Sequence, residues 1–290
     1  MIKDKIKQRV ESRIHSDGLI ETGINGVQLF RVSDAMRCAP AVYEPTVVAI
    51  VSGTKEAILD GQRFKYDSDQ YLCCSMSMPV EAGTPEASAE NPLLGVYISL
   101  DTKVMTELAI EMESANGAIR PPKAGSLPQG LVLAQWDADF SEALLRLLEL
   151  GGSPIDTAIL GESRLRELYY AVLKGEAGSS ARRAFGVGNE IARAIDYLSS
   201  NLGESITIDD MASQVGMSRA VFHRKFKQAT TMSPIQFVKS MRLNNAAMKI
   251  ANGKNVSEAA MEVGYVSSSQ FSREFKRMYG QSPKQWSHAS

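Results

Sequence analysis

DDMASQVG (209–216) and SEAAMEVG (257–264) are two copies of one segment, set 48 residues apart. The agreement continues with FHRKFK (222–227) over FSREFK (271–276), after one extra residue in the second copy. A third matching pair follows in both copies, MSPIQF (232–237) and QSPKQW (281–286). Self-similarity of this kind indicates one supersecondary unit that occurs twice. The sequence therefore predicts two equivalent motifs near the end of the chain.

Each copy has the features of a helix, a tight turn and a second helix. Gly216 and Gly264 stop the first helix, because glycine readily adopts the left-handed conformation that closes a helix C-terminus. Ser218 and Ser267 are expected to cap the second helix by accepting a backbone N–H bond. The two predicted helix-turn-helix motifs cover residues 207–228 and 256–277.

Phenylalanines four residues apart form the apolar stripe of each second helix: Phe222 with Phe226, and Phe271 with Phe275. Residues four apart lie on one face of a helix, so the basic residues between them point outward. This is the plan of a helix-turn-helix motif, whose second helix enters the major groove of DNA. Helical hairpins with a glycine turn also occur in proteins that bind no DNA, and one copy alone would leave that alternative open.

The region between the copies, residues 235–251, is predicted to be one linking helix of about 25 Å, at ~1.5 Å per residue. Such a helix would set the two recognition helices about one DNA turn, ~34 Å, apart on one face. The distribution of charge favours DNA binding by the C-terminal part of the chain. Residues 190–290 contain 13 Lys or Arg and 8 Asp or Glu, whereas the remaining residues contain 19 Lys or Arg and 25 Asp or Glu. Residues 190–290 are therefore expected to bind double-stranded DNA.

Residues 190–288 resemble the DNA-binding domain of the AraC/XylS family of transcription regulators, most closely over AAMEVGYVSSSQFSREFKRMYGQSPKQWS (259–287). The resemblance implies base contacts from the outward residues of each second helix, which are Arg219, Ala220, His223 and Arg224, and Ser268, Ser269, Ser272 and Arg273. Arg224 and Arg273 suit a bidentate hydrogen bond to guanine. Lys227, Lys276 and Arg277 are expected to contact phosphates. The short serine side chains predict weaker base discrimination by the second motif.

The first part of the chain is predicted to contain short strands between residues 20 and 100. TVVAIV (46–51) has the pattern of a buried strand, and the dipeptide Asp60-Gly61 marks a hairpin turn. Further strands are expected at YLCCSM (71–76) and LLGVYISL (93–100). Many short strands separated by turns predict a small barrel or a sandwich.

Helical periodicity replaces the strand pattern after residue 100. Apolar residues fall on one face at 140–148 and again at 165–173, as in helices that cover a sheet or form a dimer interface. GEAGSSARRAFGVGN (175–189) is rich in small residues and is predicted to be a linker. The expected fold is α+β and multidomain: an effector-sensing and dimerisation domain at 1–174, with strands at 20–100 and covering helices at 101–174, and an all-α DNA-binding domain at 190–290.

This first domain resembles the N-terminal regulatory domain of a subgroup of AraC-type regulators, through YEPTVVAIVSGTKEAILDGQRFKYDSDQYL (43–72) and MPVEAGTPEASAENPLLGVYISLD (78–101). The resemblance implies a cupin-like β-barrel, a small-molecule effector of unknown identity and a homodimer. RNA polymerase is a further candidate partner of such a regulator.

Residue inventory argues against an enzyme. Catalytic cupins hold a metal with clustered histidines, yet the only histidines are His15, His223 and His288, outside the predicted strands. The sequence contains no G-x-S-x-G, phosphate-binding or dinucleotide-binding loop. We therefore expect no catalytic residue, no bound metal and no cofactor. Without an apolar run of the ~20 residues that cross a bilayer, or an apolar signal core, the expected location is the cytoplasm, with no membrane partner.

The three cysteines, Cys38, Cys73 and Cys74, are odd in number and lack CxxC spacing, which predicts reduced thiols. In a strand at 71–76, Tyr71 and Cys73 share one face and Cys74 the other, so one thiol is expected to face the barrel interior. Cys38, Tyr71 and Cys73 are thus the candidate effector-binding residues. Cys73 or Cys38 could respond to aldehydes or oxidants by covalent modification, whereas the competing interpretation is a small buried hydrophobic residue.

Two functions of other classes remain open from the sequence. One is DNA repair, with transfer of an alkyl group to a cysteine, although no histidine or lysine that would activate a thiol lies close in sequence. The other is an architectural DNA binder that responds to no effector. Neither explains the N-terminal resemblance.

Overall fold

The computed structural model describes residues 2–115, 129–186 and 189–289, whose contacts divide the chain into two units. Unit 1 consists of Met1–Cys38, Glu44–Met76 and Ala82–Asn189. Unit 2 consists of Ala39–Tyr43, Ser77–Glu81 and Glu190–Ser290. Two short strand segments from the first half of the sequence therefore belong with the C-terminal helices.

Strands dominate the first hundred residues, as the sequence predicted, and the described residues contain one further strand beyond them. They are β1 (Gly18–Glu21), β2 (Val27–Val32), β3 (Met36–Tyr43), β4 (Thr46–Ser52), β5 (Lys55–Leu59), β6 (Gln62–Tyr66), β7 (Gln70–Cys74), β8 (Met78–Thr84), β9 (Leu93–Ser99) and β10 (Leu131–Gln135). In the described residues they form a six-stranded sheet, in the order β1-β2-β9-β4-β7-β10, and a four-stranded sheet, in the order β3-β8-β5-β6. The strand-rich domain is confirmed, but these pairings form two open sheets and not a closed barrel.

Burial and turn chemistry explain two of the predicted strand features. β4 lies between β9 and β7, and Val47, Val48 and Ile50 are all buried, which accounts for its unbroken apolar sequence. Asp60 and Gly61 both have positive φ, 49° and 78°, as the two-residue turn between β5 and β6 requires.

Five α-helices and one short 3-10 helix (Leu150–Gly152) complete the described part of unit 1. The α-helices are α1 (Ile2–Glu11), α2 (Thr102–Ser114), α3 (Ala138–Glu149), α4 (Pro154–Lys174) and α5 (Gly178–Phe185). The predicted apolar face of α3 is confirmed, with Phe140 and Leu144 fully buried. The predicted linker at 175–189 is wrong, because α5 occupies part of it. Ala181 and Phe185 of this helix are buried, so the small residues allow close packing and do not make the segment flexible.

The C-terminal part of unit 2 is all-helical, as predicted. Its described helices are α6 (Glu190–Ser200), α7 (Ile208–Gln214), α8 (Arg219–Thr230), α9 (Pro234–Ala251), α10 (Val256–Glu262), α11 (Ser268–Tyr279) and α12 (Pro283–Ala289). α9 confirms the linking helix. Each of the two motifs therefore consists of a short helix, a turn and a longer second helix.

The repeat in the sequence is also a repeat in packing. Phe226 of α8 lies edge-on to Phe237 of α9, with ring centroids 5.1 Å apart, and Phe275 of α11 meets Trp286 of α12 in the same way at 5.7 Å. The third matching segment has a structural reason as well. In both copies a Ser-Pro-x-Gln sequence forms reciprocal Ser–Gln capping bonds at the start of the following helix.

Asn244 holds the two strand segments of unit 2 against the linking helix. Its side-chain amide is buried and donates to the carbonyl oxygens of Ala41 and Val80, both at 2.9 Å. Its carbonyl oxygen accepts from the Tyr279 hydroxyl at 2.7 Å. Burial of an amide is tolerated here because every polar atom of the group is hydrogen-bonded.

Replacing Asn244 by Leu would leave two carbonyls and a hydroxyl without their partner. We expect a loss of about 1–3 kcal/mol in the free energy of unfolding, the usual effect of unsatisfied buried polar groups. Chemical denaturation followed by near-UV circular dichroism measures it. Asn245→Leu is the matched control, because the side chain of Asn245 has one hydrogen bond within the described residues, to Met241 of its own helix. Equal losses in both variants would contradict the assigned role of Asn244.

Candidate nucleic-acid interface

Local capping positions the first motif. Thr207 and Asp210 form a reciprocal capping box that begins α7. Gly216 has φ of 66° and turns the chain toward α8, as predicted. Ser218 occupies the N-cap position of α8, but its side chain makes no capping bond, so the expected serine cap is wrong for this copy.

α8 presents one apolar and one basic face. Phe222 and Phe226 are fully buried and pack on each other, with ring centroids 5.3 Å apart. The five predicted DNA-contact residues of this helix are all exposed: Arg219, Ala220, His223, Arg224 and Lys227. The helix is therefore anchored from one side and leaves its basic side available to a polyanion.

The second motif repeats this arrangement. Gly264 has φ of 85°, and a Cβ at this position would lie only 2.9 Å from the carbonyl oxygen of Leu202, so glycine is required for both backbone and space. Ser267 caps α11 as predicted, accepting from the amide of Gln270 at 3.3 Å. This helix begins with a hydrogen-bonded serine, unlike α8.

α11 also turns its aromatic face inward. Phe271 and Phe275 are buried in a cluster with α9 and α10. Every predicted DNA-contact residue on this helix is exposed: Ser268, Ser269, Ser272, Arg273, Lys276 and Arg277. The structure thus gathers each predicted set on the outer side of its own second helix.

The basic side chains differ in their freedom to bind. Arg219 forms an ion pair with Asp209 at 3.1 Å, and both groups are largely exposed, so water weakens this contact. Arg224 and Arg273 have no side-chain hydrogen bond or ion pair to any residue that the structure describes. These two guanidinium groups can therefore engage a new partner without breaking an existing contact.

An acidic group within α11 was not identified from the sequence. Glu274 accepts from the Tyr265 hydroxyl at 2.8 Å and lies 3.4 Å from the ammonium group of Lys239. These contacts help to hold the pKa of Glu274 below its usual value against the opposing effect of partial burial. Lys225 occupies the equivalent position in the first motif, and comparison of the two copies could have identified this charge difference.

The candidate sensing residues lie in unit 1. Tyr71 stacks on Phe140 of α3, with ring centroids 4.2 Å apart, and the alternation along β7 places Cys73 on that same helix-covered face. Burial raises the pKa of Cys73 to about 12, so its reactive thiolate is scarce near neutral pH. Cys38 is half-buried, and its thiol points to the carboxylate of Glu56 at 3.8 Å. Cys38 lies on β3 of the four-stranded sheet, whereas Tyr71 and Cys73 lie on β7 of the six-stranded sheet.

Two features of the described residues bear on other functions. Across 2–115, 129–186 and 189–289, no group of three or more His, Cys, Asp or Glu side chains is arranged to hold a metal ion. In the same part of the chain, no helix is both long enough and apolar enough to cross a membrane.

Comparison with protein families gives two matches. The model described as AraC-type transcriptional regulator N-terminus matches residues 23–180, and the model described as helix-turn-helix domain matches residues 211–289. The first match alone covers more than half of the chain.

Curated relatives match over shorter lengths. The raffinose operon transcriptional regulatory protein RafR of Pediococcus pentosaceus is 31% identical over 147 residues, which are 50% of this chain and 52% of the relative. The HTH-type transcriptional regulator MtrA of Neisseria gonorrhoeae is 39% identical over 80 residues, 27% of each chain. The chain thus spans about half the length of RafR, and less of MtrA.

Among solved structures, ToxT from Vibrio cholerae with a bound unsaturated fatty acid has a TM-score of 0.59 at 10% identity, covering 94% of this chain and 97% of that one. ToxT bound to (E)-4-(8-methylnaphthalen-1-yl)but-3-enoic acid has a TM-score of 0.59 at 14% identity, covering 90% and 97%. At such low identity these likenesses concern the fold alone. The family model that matches more than half of the chain identifies the family: the chain belongs to the AraC-type family of transcriptional regulators.

Proposed function

We propose that this protein binds double-stranded DNA sequence-specifically through α8 and α11 and thereby regulates transcription. One observation carries the proposal: two equivalent helices each bury a phenylalanine pair and expose unpaired basic side chains on the other side. Duplication matters because two recognition helices in one chain can read two successive major grooves. A helical hairpin with a purely structural role has no need of this repeated basic surface.

Side-chain chemistry suggests the division of roles. Arg224 and Arg273 would read guanine through bidentate hydrogen bonds, while Ala220 would offer only apolar contact to a thymine methyl group. The remaining proposed base contacts are Arg219, His223, Ser268, Ser269 and Ser272. Positively charged groups farther along each helix would bind phosphates, and these are Lys227, Lys276 and Arg277.

Arg224→Ala and Lys227→Ala distinguish base reading from phosphate binding within one helix. Arg224→Ala should weaken binding to the selected DNA site by about 1–3 kcal/mol and relax preference at one base position. Lys227→Ala should weaken specific and random duplexes alike and reduce the salt slope by about 1. Fluorescence anisotropy at several salt concentrations measures both effects.

Arg193→Ala is the matched control for this pair, because Arg193 is exposed on α6 outside both motifs. It removes one positive charge and should leave base preference unchanged. If Arg224→Ala lowered affinity for specific and random DNA equally, its role in reading a base would be refuted.

Control by a small-molecule effector in unit 1 is a further part of the proposal. The support is the family match over residues 23–180 and the carboxylic acids bound by the two ToxT structures. Binding of an effector would favour one of two conformations that differ in affinity for DNA. We assign the protein no catalytic role and place it in the cytoplasm, where the chromosome of a bacterium and its RNA polymerase, a second candidate partner, are found.

We also propose a homodimer, with a second copy covering an exposed apolar stripe on α4. Ile155 and Ile159 are 71% and 70% exposed and lie four residues apart, hence on one helix face. Large apolar side chains grouped in this way are typical of interaction surfaces. A two-fold axis would let the same stripe bury itself against its copy.

The double variant Ile155→Glu, Ile159→Glu should shift the protein from dimer to monomer, because four charges would meet at the symmetric contact. Sedimentation equilibrium over a range of protein concentrations measures the change. Ile235→Glu provides a control, since Ile235 is 61% exposed but lies on α9 in unit 2. A dimer that persists in the double variant would place the interface elsewhere.

A further inference from the structure

The turn of the second motif is one residue longer than that of the first, and the structure identifies the extra residue as Val266. Met217 and Tyr265 are equivalent, because the backbone N–H of each donates to the carbonyl oxygen five residues earlier, at 2.9 Å in both motifs. Ser218 and Ser267 are equivalent as the N-cap residues of α8 and α11. Val266 lies between these two positions and has no counterpart in the first motif.

The side chain of Val266 is exposed to solvent. It is fully exposed, more so than any other large apolar side chain that the structure describes. An isolated exposed valine elsewhere on a protein surface needs no explanation. Val266, however, lies directly before the N-cap of α11, and the N-terminal residues of a recognition helix are those that contact base edges. The longer turn therefore adds an apolar group at the end of α11 that is expected to approach the bases.

Both chain neighbours of Val266 are held in place. Tyr265 is buried, its ring meets that of Phe271 edge-on with centroids 5.2 Å apart, and its hydroxyl donates to Glu274 at 2.8 Å. On the other side, Ser267 caps α11 by accepting a backbone N–H bond. Valine itself has few accessible rotamers, because it is branched at Cβ. A partner that covers this side chain therefore loses little affinity to ordering of the turn.

The chemistry of valine restricts what it can recognise on DNA. Its side chain has no hydrogen-bond donor or acceptor and no charge, so it cannot bind a phosphate or the polar groups of a base edge. The apolar group that a base pair presents in the major groove is the C5-methyl group of thymine. Ser268 and Ser269, which follow in α11, can hydrogen-bond to several bases and distinguish them poorly. An apolar contact beside them supplies a selectivity that hydroxyl groups lack.

We propose that Val266 contacts the C5-methyl group of a thymine in the major groove and gives the second motif a preference for that base. This inference rests on the proposed DNA function and adds a specificity-determining residue to it. The first motif reads bases with long basic side chains, whereas the second combines short hydroxyl groups with one apolar contact. The difference in turn length between the two copies thus has a consequence for recognition.

The test compares thymidine with 2′-deoxyuridine, which differs only by lacking the methyl group. Full-length protein first selects its preferred duplex from a random-sequence library, and each thymidine of that duplex is then replaced in turn. In fluorescence anisotropy, one replacement in one of the two boxes should weaken wild-type binding about fourfold, as expected for one methyl group that a contact shelters from water. Val266→Ala should bind the original duplex more weakly by a similar factor and should show no further loss at that replacement.

Ile235→Ala is the matched control, because Ile235 is a similarly exposed apolar residue of α9, outside both motifs. It should bind the original duplex as the wild type does and should lose as much affinity as the wild type at the critical replacement. Val266→Ala should also keep the melting temperature of the wild type, since the side chain is exposed. The loss between two duplexes is measured with one protein, so a change in the stability of a variant would not produce it.

Three results would overturn the inference: neither box of the selected site contains a thymine, no replacement weakens wild-type binding, or Val266→Ala loses as much affinity as the wild type at every replacement. The third result, with weaker binding to all duplexes, would instead indicate contact with the sugar–phosphate backbone. Any of these results obtained with a selected site refutes only the Val266 inference. Binding from which no common site is selected refutes both this inference and the proposed sequence-specific function.

Discussion

Burial of two phenylalanine pairs is the constraint on which the candidate interface depends. Phe222 with Phe226, and Phe271 with Phe275, fix the rotation of α8 and α11 about their own axes. Once those rings are inside, the residues on the opposite face of each helix, which include the predicted contact residues, point outward. A hydrophobic requirement of folding therefore determines which side chains are presented to DNA, and the chemistry of those side chains can vary without loss of the fold.

Much of the candidate interface could be predicted from the sequence, because it depends on interactions between residues that are close along the chain. The spacing of the phenylalanines, the left-handed glycines Gly216 and Gly264 and the turn at Asp60-Gly61 all act within a few residues, and the structure confirms them. Repetition strengthened the prediction, because a second copy tests the first. The exposure of all eleven predicted contact residues follows from the same periodicity.

Long-range contacts were the part that the sequence did not predict. Asn244 bonds to strands more than 160 positions away in the chain, and nothing in the sequence around an asparagine specifies such partners. The helix at Gly178–Phe185 was not predicted, because its small residues are also typical of a linker. Tyr71 and Cys73 were placed correctly on one strand face, but only the position of α3 decides what covers that face.

Selection of genomic DNA fragments by the full-length protein, at two salt concentrations, tests the central claim most directly. Phosphate contacts make binding sensitive to salt, whereas base contacts make it sensitive to sequence. The account predicts recovery of one motif with two boxes about a helical turn apart, retained at the higher salt concentration. Salt-sensitive binding without any common motif would contradict it and would favour an architectural DNA binder.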